Sequence, residues 1–326
     1  MQAVCAGGGG CKFDESQVHE RVHAVTQSDS TPKVEVLLQG YSLDTNVGLA
    51  GFCMVTLVEG LDANGEKKRI LFDPAHVGRR VLLWDALAKR GLGPKDIDGV
   101  VLSHSHWDHI QNIDVFDHAP IMMHPYERAY SLQPHRNDWA TPAWTGTILE
   151  RQKLVEVSEG DQILQGVRVA DMPGHTPGGI GLLVETGAGL SVIAGDALHH
   201  ARVALLGENP LIFWDRAAAR DTISRVVKMA DVIYPGHDRV FRVTKDNSIE
   251  YLEDFQMTIS NVSGRLDDLD FEVVKPSQWI MPNIEEQLAA RAEYEKAAEA
   301  RRGQTLGPVE DVWVQWWEID PEAPRH

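Results

Sequence analysis

The sequence has few cysteines and no long apolar run. Its 326 residues include only Cys5, Cys11 and Cys53, an odd number without the spacing of a metal site. No disulfide framework is implied, which indicates a reducing compartment. No apolar stretch is long enough to span a membrane, and the first residues lack the basic and then apolar pattern of a secretion signal. We therefore expect a cytoplasmic protein that does not bind membranes.

Basic residues are also scarce. The chain carries 31 lysines and arginines against 48 aspartates and glutamates, a formal net charge of −17. A surface of this sign repels phosphate backbones, so bulk binding of nucleic acid is disfavoured. A surface this acidic is typical of a soluble protein, and we expect no nucleic-acid partner.

Histidine and aspartate are concentrated in one short segment, "HSHWDH" (104 to 109). The preceding residues 96 to 103 are apolar and β-branched, as in a buried strand. Side chains two apart on an extended segment point the same way, so His104 and His106 can converge on one ion. A turn at Trp107 would direct Asp108 and His109 towards a second ion. The spacing predicts two metals in one pocket.

Three later apolar runs end in the same way, with a small residue followed by a ligand-type side chain. They place His175 in "DMPGHTPGG", Asp196 after "LSVIAG" and His237 in "ADVIYPGHD". Taken singly, these residues could be a turn histidine, a helix N-cap and a surface loop histidine. Their repetition in order favours metal ligation.

The pattern His-x-His-x-Asp-His, followed by His, Asp and His, resembles the signature of the metallo-β-lactamase superfamily. The resemblance implies that one metal is bound by His104, His106 and His175, and that Asp196 bridges to the second. The remaining ligands of the second metal would be Asp108, His109 and His237.

The resemblance also implies a fold of the α/β class, an αββα four-layer sandwich over about residues 33 to 245. We expect residues 1 to 32 to be a flexible N-terminal arm and 246 to 326 a C-terminal extension. Within that extension residues 284 to 302 are typical of a helix, and Trp313, Trp316 and Trp317 follow. Aromatic residues so placed usually pack on the domain or on a second subunit, so a homodimer is predicted.

Asp73 ends the strand candidate "RILFDP", where the family usually has an Asp-Thr-Gly turn whose aspartate supports the metal ligands from behind. Here the turn reads Asp73-Pro74-Ala75-His76, so the aspartate is kept and the glycine is lost. A plain turn residue is the alternative interpretation of Asp73, and His76 is a weaker candidate for approaching the pocket.

Candidate substrate contacts lie in two loop regions, 114 to 150 and 197 to 216. Trp107, Trp139 and Trp144 could form apolar walls, while Asn209 and Trp214 could bind a polar atom and stack on a ring. Packing and capping roles are equally compatible with these residues. In lactonases of the family a tyrosine stands three positions after the bridging aspartate, and here that position is His199.

The chemistry implied is hydrolysis with two divalent ions, of which zinc is the expected one. A metal-bound hydroxide would attack an ester, lactone or thioester, and Asp108 or His199 would manage the proton as catalytic residues. Two alternatives stay open. The tryptophans suggest hydrolytic dehalogenation of aromatic compounds, and a single iron would indicate an oxidative enzyme of the persulfide dioxygenase type.

Overall fold

The computed structural model describes residues 31 to 258, apart from Val47 and Asn137, together with the paired backbone of residues 279 and 280. Most of the predicted N-terminal arm, the predicted helix at 284 to 302 and the three C-terminal tryptophans lie outside the described residues.

Strands account for most of the regular structure and are numbered here in chain order. They are β1 (Lys33–Leu38), β2 (Tyr41–Thr45), β3 (Gly48–Phe52), β4 (Val55–Leu61), β5 (Lys67–Phe72), β6 (Gly99–Val101), β7 (Ile121–Met123), β8 (Leu154–Glu156), β9 (Gln162–Leu164), β10 (Val167–Asp171), β11 (Ile180–Thr186), β12 (Gly189–Gly195), β13 (Leu211–Ile212), β14 (Val232–Pro235), β15 (Phe241–Val243), β16 (Ile249–Tyr251) and β17 (Trp279–Ile280).

The helices connect these strands. They are α1 (Arg80–Ala88), α2 (Trp107–Ile110), α3 (Pro125–Leu132), α4 (Thr145–Leu149), α5 (Ala201–Leu206) and α6 (Arg216–Met229). Helix α6 begins with Asp215 as its N-cap, whose carboxylate accepts from the backbone N–H of Ala218 at 2.6 Å. No helix among the described residues has the length and apolar character needed to cross a bilayer.

Two sheets form the body of the molecule. The first has the order β1-β4-β5-β6-β7-β8, and the second the order β16-β15-β14-β12-β11-β10-β9. Hairpin β2-β3 and the parallel pair β13-β17 are separate two-stranded sheets. The parallel pairs β5-β6, β6-β7 and β12-β14 place the ends of strands that carry the predicted ligands at one edge of the body.

The core has three apolar layers, which follow from the alternation of side chains along each strand. In β4, Leu57 packs with Leu83 and Leu87 of α1, whereas its neighbour Val58 packs between the two sheets. In β12, Ile193 faces the first sheet and Val192 packs with residues of α6. The layers are therefore helix, sheet, sheet and helix, which confirms the predicted αββα sandwich.

Candidate metal centre

The segment 104 to 109 leaves the end of β6 in extended conformation and then turns into a helix. His106 is the extended N-cap of α2, with φ −65° and ψ 147°, and the helix begins at Trp107 as predicted. The turn separates the side chains of the segment. His104 and His106 face one point, and Asp108 and His109 lie on the first turn of α2 and face another.

The later ligand candidates reach the same place from the second sheet. His175 lies in the loop after β10, Asp196 directly after β12, and His237 two residues after β14. All three side chains are buried. Together with the segment 104 to 109 they form two groups, which we call the first ligand group (His104, His106, His175) and the second ligand group (Asp108, His109, His237).

Asp196 stands between the two groups with one carboxylate oxygen towards each. Its Oδ2 lies 3.4 Å from Nε2 of His175 and 3.9 Å from Nε2 of His104. Its Oδ1 lies 3.2 Å from Nε2 of His237 and 3.5 Å from Nε2 of His109. This is the geometry that a bridging carboxylate requires.

The lone pairs of the ligand atoms point inward, as cation binding demands. His175 donates from Nδ1 to the carbonyl of Leu211 at 2.7 Å, so its Nε2 carries a lone pair. That atom faces Nδ1 of His106 at 3.0 Å. Two nitrogen ligands at about 2.0–2.1 Å from one tetrahedral ion are roughly 3.3 Å apart. The residues present therefore suit a divalent ion, and the buried Nε2 atoms of His104 and His109 have no hydrogen-bond partner among the described residues.

Asp73 lies behind His109, on the side away from the ligand groups. Its Oδ2 accepts from Nδ1 of His109 at 2.8 Å and from the hydroxyl of Ser103 at 2.7 Å, and its Oδ1 accepts from the Ser103 N–H at 2.7 Å. Asp73 (φ 54°) and Ala75 (φ 62°) are both left-handed. Ala75 stands where the resemblance places the glycine of an Asp-Thr-Gly turn, and a left-handed alanine there carries backbone strain that a glycine would avoid.

The outer nitrogens of His104 and His237 also face polar partners. Nδ1 of His104 contacts the hydroxyl of Ser103 at 2.8 Å, and Nδ1 of His237 faces the carbonyl of Tyr41 at 3.4 Å. Such partners fix the ring orientation and the tautomer of a metal-binding histidine. Nε2 of His106 makes no hydrogen bond among the described residues, and its nearest carboxylate oxygen, Oδ2 of Asp138, is 3.5 Å away.

Charge is distributed unequally between the two ligand groups. Burial, and then the neighbouring histidines, hold the pKa of His104 well below its usual value, and burial with His106 lowers the pKa of His175 to about 4. Burial acts the same way on His237, but the carboxylates of Asp196 and Asp108 outweigh it and raise the pKa of His237. His104 and His175 are therefore neutral near pH 7, whereas His237 retains a proton that an ion must displace.

A narrow cavity opens over the two groups, and its outer wall is largely apolar. The wall includes Trp107, Trp139, Leu211 and Phe213, with the rings of Trp139 and Phe213 edge to face at 5.5 Å between centroids. Hairpin β2-β3 contributes the opposite side through Ser42, Leu49 and Gly51. A substrate would meet metal ligands on one side and aromatic rings on the other.

His199 lies in this cavity beside His237. Their rings are stacked at 4.3 Å between centroids and 18° between planes. A histidine binds an ion through a lone pair in the plane of its ring, so two nearly parallel stacked rings are poorly placed to share one ion. Nδ1 of His199 has no hydrogen-bond partner among the described residues, and burial holds the pKa of His199 well below its usual value. The geometry favours a role in hydrogen bonding over ligation.

The remaining predicted pocket residues occupy other positions. Asn209 is buried and donates to the backbone carbonyl of Asp196 at 2.6 Å, so it supports the backbone of Asp196 and does not line the cavity. Trp214 packs against Tyr130 at 6.3 Å, and Trp144 is about half exposed; neither lines the cavity. The ring of His76 contacts that of Trp107 at 5.2 Å between centroids with the planes tilted by 59°, and His76 does not line the cavity.

Three residues of the site were missed by the sequence interpretation: Glu127, Asp138 and Phe213. Glu127 is fully buried and accepts from the N–H and hydroxyl of Ser105 at 2.8 and 2.6 Å and from the N–H of Gly178 at 3.0 Å. It thereby joins the segment 104 to 109 to the loop of His175. No local pattern marks a glutamate on an amphipathic helix for this role, whereas the Asp138-x-Ala140-Thr141 spacing is a detectable capping signal.

Two glycines allow the backbone to approach the carboxylates closely. A Cβ on Gly236 would lie 1.9 Å from Oδ1 of Asp196, and a Cβ on Gly51 would lie 2.9 Å from Oδ2 of Asp108. The carboxylates can hold their present positions only because side chains are absent there.

Comparison with known proteins agrees with this geometry. Residues 48 to 237 match the family model described as the metallo-beta-lactamase superfamily. Metallo-beta-lactamase domain-containing protein 1 of Xenopus laevis is 31% identical over 230 residues, covering 69% of this chain and 87% of the relative. An N-acyl homoserine lactonase of a Bacillus species is 25% identical over 247 residues, covering 71% of this chain and 90% of the relative.

Among solved structures, a B. thuringiensis AiiA variant with N-decanoyl-L-homoserine bound at its active site superposes with a TM-score of 0.51. The identity is 21%, and the match covers 64% of this chain and 94% of that one. This likeness concerns the fold.

Proposed function

We propose, since this chain belongs to the metallo-β-lactamase superfamily, that it is a metal-dependent hydrolase of small ester, lactone or thioester substrates. One observation carries the proposal. Two groups of buried ligand-type side chains converge on a carboxylate that faces both, at the floor of a cavity with an apolar wall. Histidines with a purely structural role do not point lone pairs at one another, because facing lone pairs repel unless a cation lies between them.

The first and second ligand groups would hold two divalent ions, with Asp196 between them, and zinc is the ion we expect. When bound, such ions lower the pKa of water to about 7 and polarise a carbonyl oxygen, which supplies a nucleophile and stabilises the developing negative charge. If only one ion were bound, by the first ligand group, then Asp108 and His109 would have no role in the proposed chemistry.

The protein's own contribution is placement and proton handling. The rings of Trp139 and Phe213 exclude water from one side of the cavity and hold the apolar part of a substrate beside the ligand groups. His199 is placed to donate a hydrogen bond to a substrate oxygen, or to pass a proton to the leaving group, because its ring lines the cavity. Asp108 is the second candidate for proton transfer, and its Oδ2 lies 3.3 Å from Nε2 of His237.

The lactonase relatives support lactones as the first substrates to test. The family resemblance places a tyrosine where this chain has His199. A tyrosine offers a hydroxyl of pKa near 10, whereas the imidazole of His199, whose pKa burial holds well below its usual value, is neutral near pH 7 and offers one donor and one acceptor. We therefore place simple esters and thioesters beside lactones as candidates.

The experiment is metal analysis combined with a substrate panel. Protein purified without added metal is assayed for metal per chain, and hydrolysis of N-acyl homoserine lactones, aryl esters and acyl thioesters is followed by proton release. We expect close to two ions per chain, and loss of both metal and hydrolysis in His106→Ala. His124→Ala is the matched control, since His124 is buried but caps helix α3 away from the cavity.

Two other outcomes would change the proposal. Activity restricted to halogenated aromatic compounds would favour the dehalogenating alternative, which the aromatic wall of the cavity supports. One iron per chain without hydrolysis would favour an oxidative enzyme and overturn the proposed function. The homodimer and the cytoplasmic location stay predictions, to be checked by light scattering and by fractionation.

A further inference from the structure

A loop carboxylate lies against His106 on the side away from the ligand groups. Asp138 has a fully buried side chain, and its Oδ2 is 3.5 Å from Nε2 of His106. Asp138 belongs to the loop that connects α3 to α4, far along the chain from the segment 104 to 109. The contact therefore depends on how this loop folds back over the site.

Three donors fix the position of this carboxylate. The backbone N–H groups of Ala140 and Thr141 donate to Oδ1 at 2.9 and 3.0 Å. The buried hydroxyl of Tyr130 donates to Oδ2 at 2.8 Å. With these bonds in place, the free side of Oδ2 is presented to the imidazole of His106, so the carboxylate is organised before any ion binds.

The orientation of His106 determines what this contact does. Its Nδ1 faces Nε2 of His175 at 3.0 Å, so Nδ1 is the atom available to an ion. A neutral imidazole carries one proton, and Nδ1 has a lone pair only when that proton is on Nε2. A carboxylate beside Nε2 favours this tautomer, and the Phe213 ring, edge to face with His106 at 4.8 Å, limits rotation of the imidazole.

We propose that Asp138 is a positioning residue, which holds the proton of His106 on Nε2 and turns its Nδ1 lone pair towards the first metal. The inference rests on the proposed function, because it requires that an ion binds there. It gives His106 an outer carboxylate at 3.5 Å, where His109 and His175 make closer hydrogen bonds of 2.8 and 2.7 Å with Asp73 and with the Leu211 carbonyl.

The same loop shapes the cavity. Trp139, next in the chain, forms part of the apolar wall, and the carbonyl of Ala140 accepts from the N–H of Trp107 at 2.9 Å. Three consecutive residues, 138 to 140, thus connect the orientation of a ligand, the substrate wall and the start of α2. Changes in this loop should alter metal binding and substrate binding together.

Asp138→Asn is a selective test, because the direction of the new amide is dictated by the backbone. The amide oxygen must face the N–H groups of Ala140 and Thr141, which leaves the NH₂ group towards His106. A donor at that place requires a lone pair on Nε2, and so moves the imidazole proton to Nδ1, where the ion should bind. Tyr130→Phe keeps the charge and removes one of its supports.

The measurement is the affinity for Zn²⁺ by competition with a chromophoric chelator, together with the visible absorption of the Co²⁺-loaded protein. We expect Asp138→Asn to weaken binding of the first ion by about 10- to 100-fold, as for other outer partners of metal-binding histidines, and Tyr130→Phe to weaken it less. Asp215→Asn is the matched control. It also removes a carboxylate that caps backbone N–H groups, at the start of α6, and should leave metal affinity unchanged.

A second readout needs no activity. Long-range ¹H–¹⁵N spectra of the Zn²⁺-loaded protein report the tautomer of His106, which should carry its proton on Nε2 in the wild type and should lose this single state in Asp138→Asn. Wild-type affinity and an unchanged tautomer in that variant would overturn this inference and leave the proposed function intact. A wild-type protein without affinity for divalent ions would overturn both.

Discussion

Glu127 provides a direct test of how the two ligand loops are held together. Its carboxylate accepts three hydrogen bonds, two from Ser105 at Oε1 and one from the Gly178 N–H at Oε2. In Glu127→Gln the amide oxygen can keep both bonds from Ser105 only if the NH₂ group faces the Gly178 N–H. One buried donor is then left without a partner, which costs about 1–3 kcal/mol.

An opposing contribution reduces this cost. Burial raises the pKa of Glu127, although the hydrogen bonds from Ser105 oppose the shift, so the buried charge is itself unfavourable and a neutral amide avoids it. We expect a net loss of about 1–2 kcal/mol in the free energy of unfolding. For a protein of this size that corresponds to a fall in Tm of roughly 1.5–4 °C.

The assay is urea unfolding of metal-free protein, with chelator competition as a second readout. Glu150→Gln is the control, because Glu150 makes an exposed pair with Arg128 through two short bonds, and such pairs contribute about 0.2–1 kcal/mol. A loss in Glu127→Gln no greater than in the control would refute the reasoning. So would an unchanged affinity for both ions, because the loop of His175 is positioned through this carboxylate.

Three further predictions concern metal and substrate. Protons compete with metal, and the pKa of His237 is raised while that of His175 is lowered to about 4. Acidification from pH 8 to 5 should therefore remove the ion of the second ligand group before that of the first. Dialysis at fixed pH followed by elemental analysis measures this order, and earlier loss of the first ion would contradict it. Gly236→Ala should weaken metal binding at least tenfold, because the new Cβ would displace the Asp196 carboxylate. Gly93→Ala is the control: its Cβ would meet nothing closer than 3.8 Å, so this variant should bind metal as the wild type does. Trp139→Ala should raise KM for substrates with long acyl or aromatic groups about 10-fold and leave kcat within a factor of two, because the ring would contact the apolar part of the substrate. Steady-state kinetics measure both constants, and a change in kcat alone would contradict the role proposed for Trp139.

The ligand candidates could be predicted from sequence because each follows a strand with its own local signature. The apolar runs before His104, Asp196 and His237 are short, β-branched and interrupted by small residues, and strands of this kind end at one edge of a sheet. The family resemblance then supplies the pairing of ligands with ions. Neither step requires knowledge of distant contacts.

Other features depend on contacts that no local pattern contains. The stretch "GFCMVTLVEG" is a continuous strand candidate, but in the structure β3 ends at Phe52 and β4 begins at Val55. The N–H of Met54 between them donates to the carbonyl of Gly236 at 2.6 Å, a partner from the second sheet. Asp138 and Glu127 are similar cases, since their partners lie far along the chain.

The pairing of β13 with β17 has a consequence for protein synthesis. Leu211 orients His175 through its carbonyl and lines the cavity, yet the strand that pairs with it, at residues 279 and 280, is made much later than either residue. Until then the backbone of β13 is an open edge, available to any extended segment. A nascent chain that has not yet reached residue 279 would expose that edge beside the candidate metal centre, and pull-down of ribosome-bound chains of that length should find them bound by chaperones.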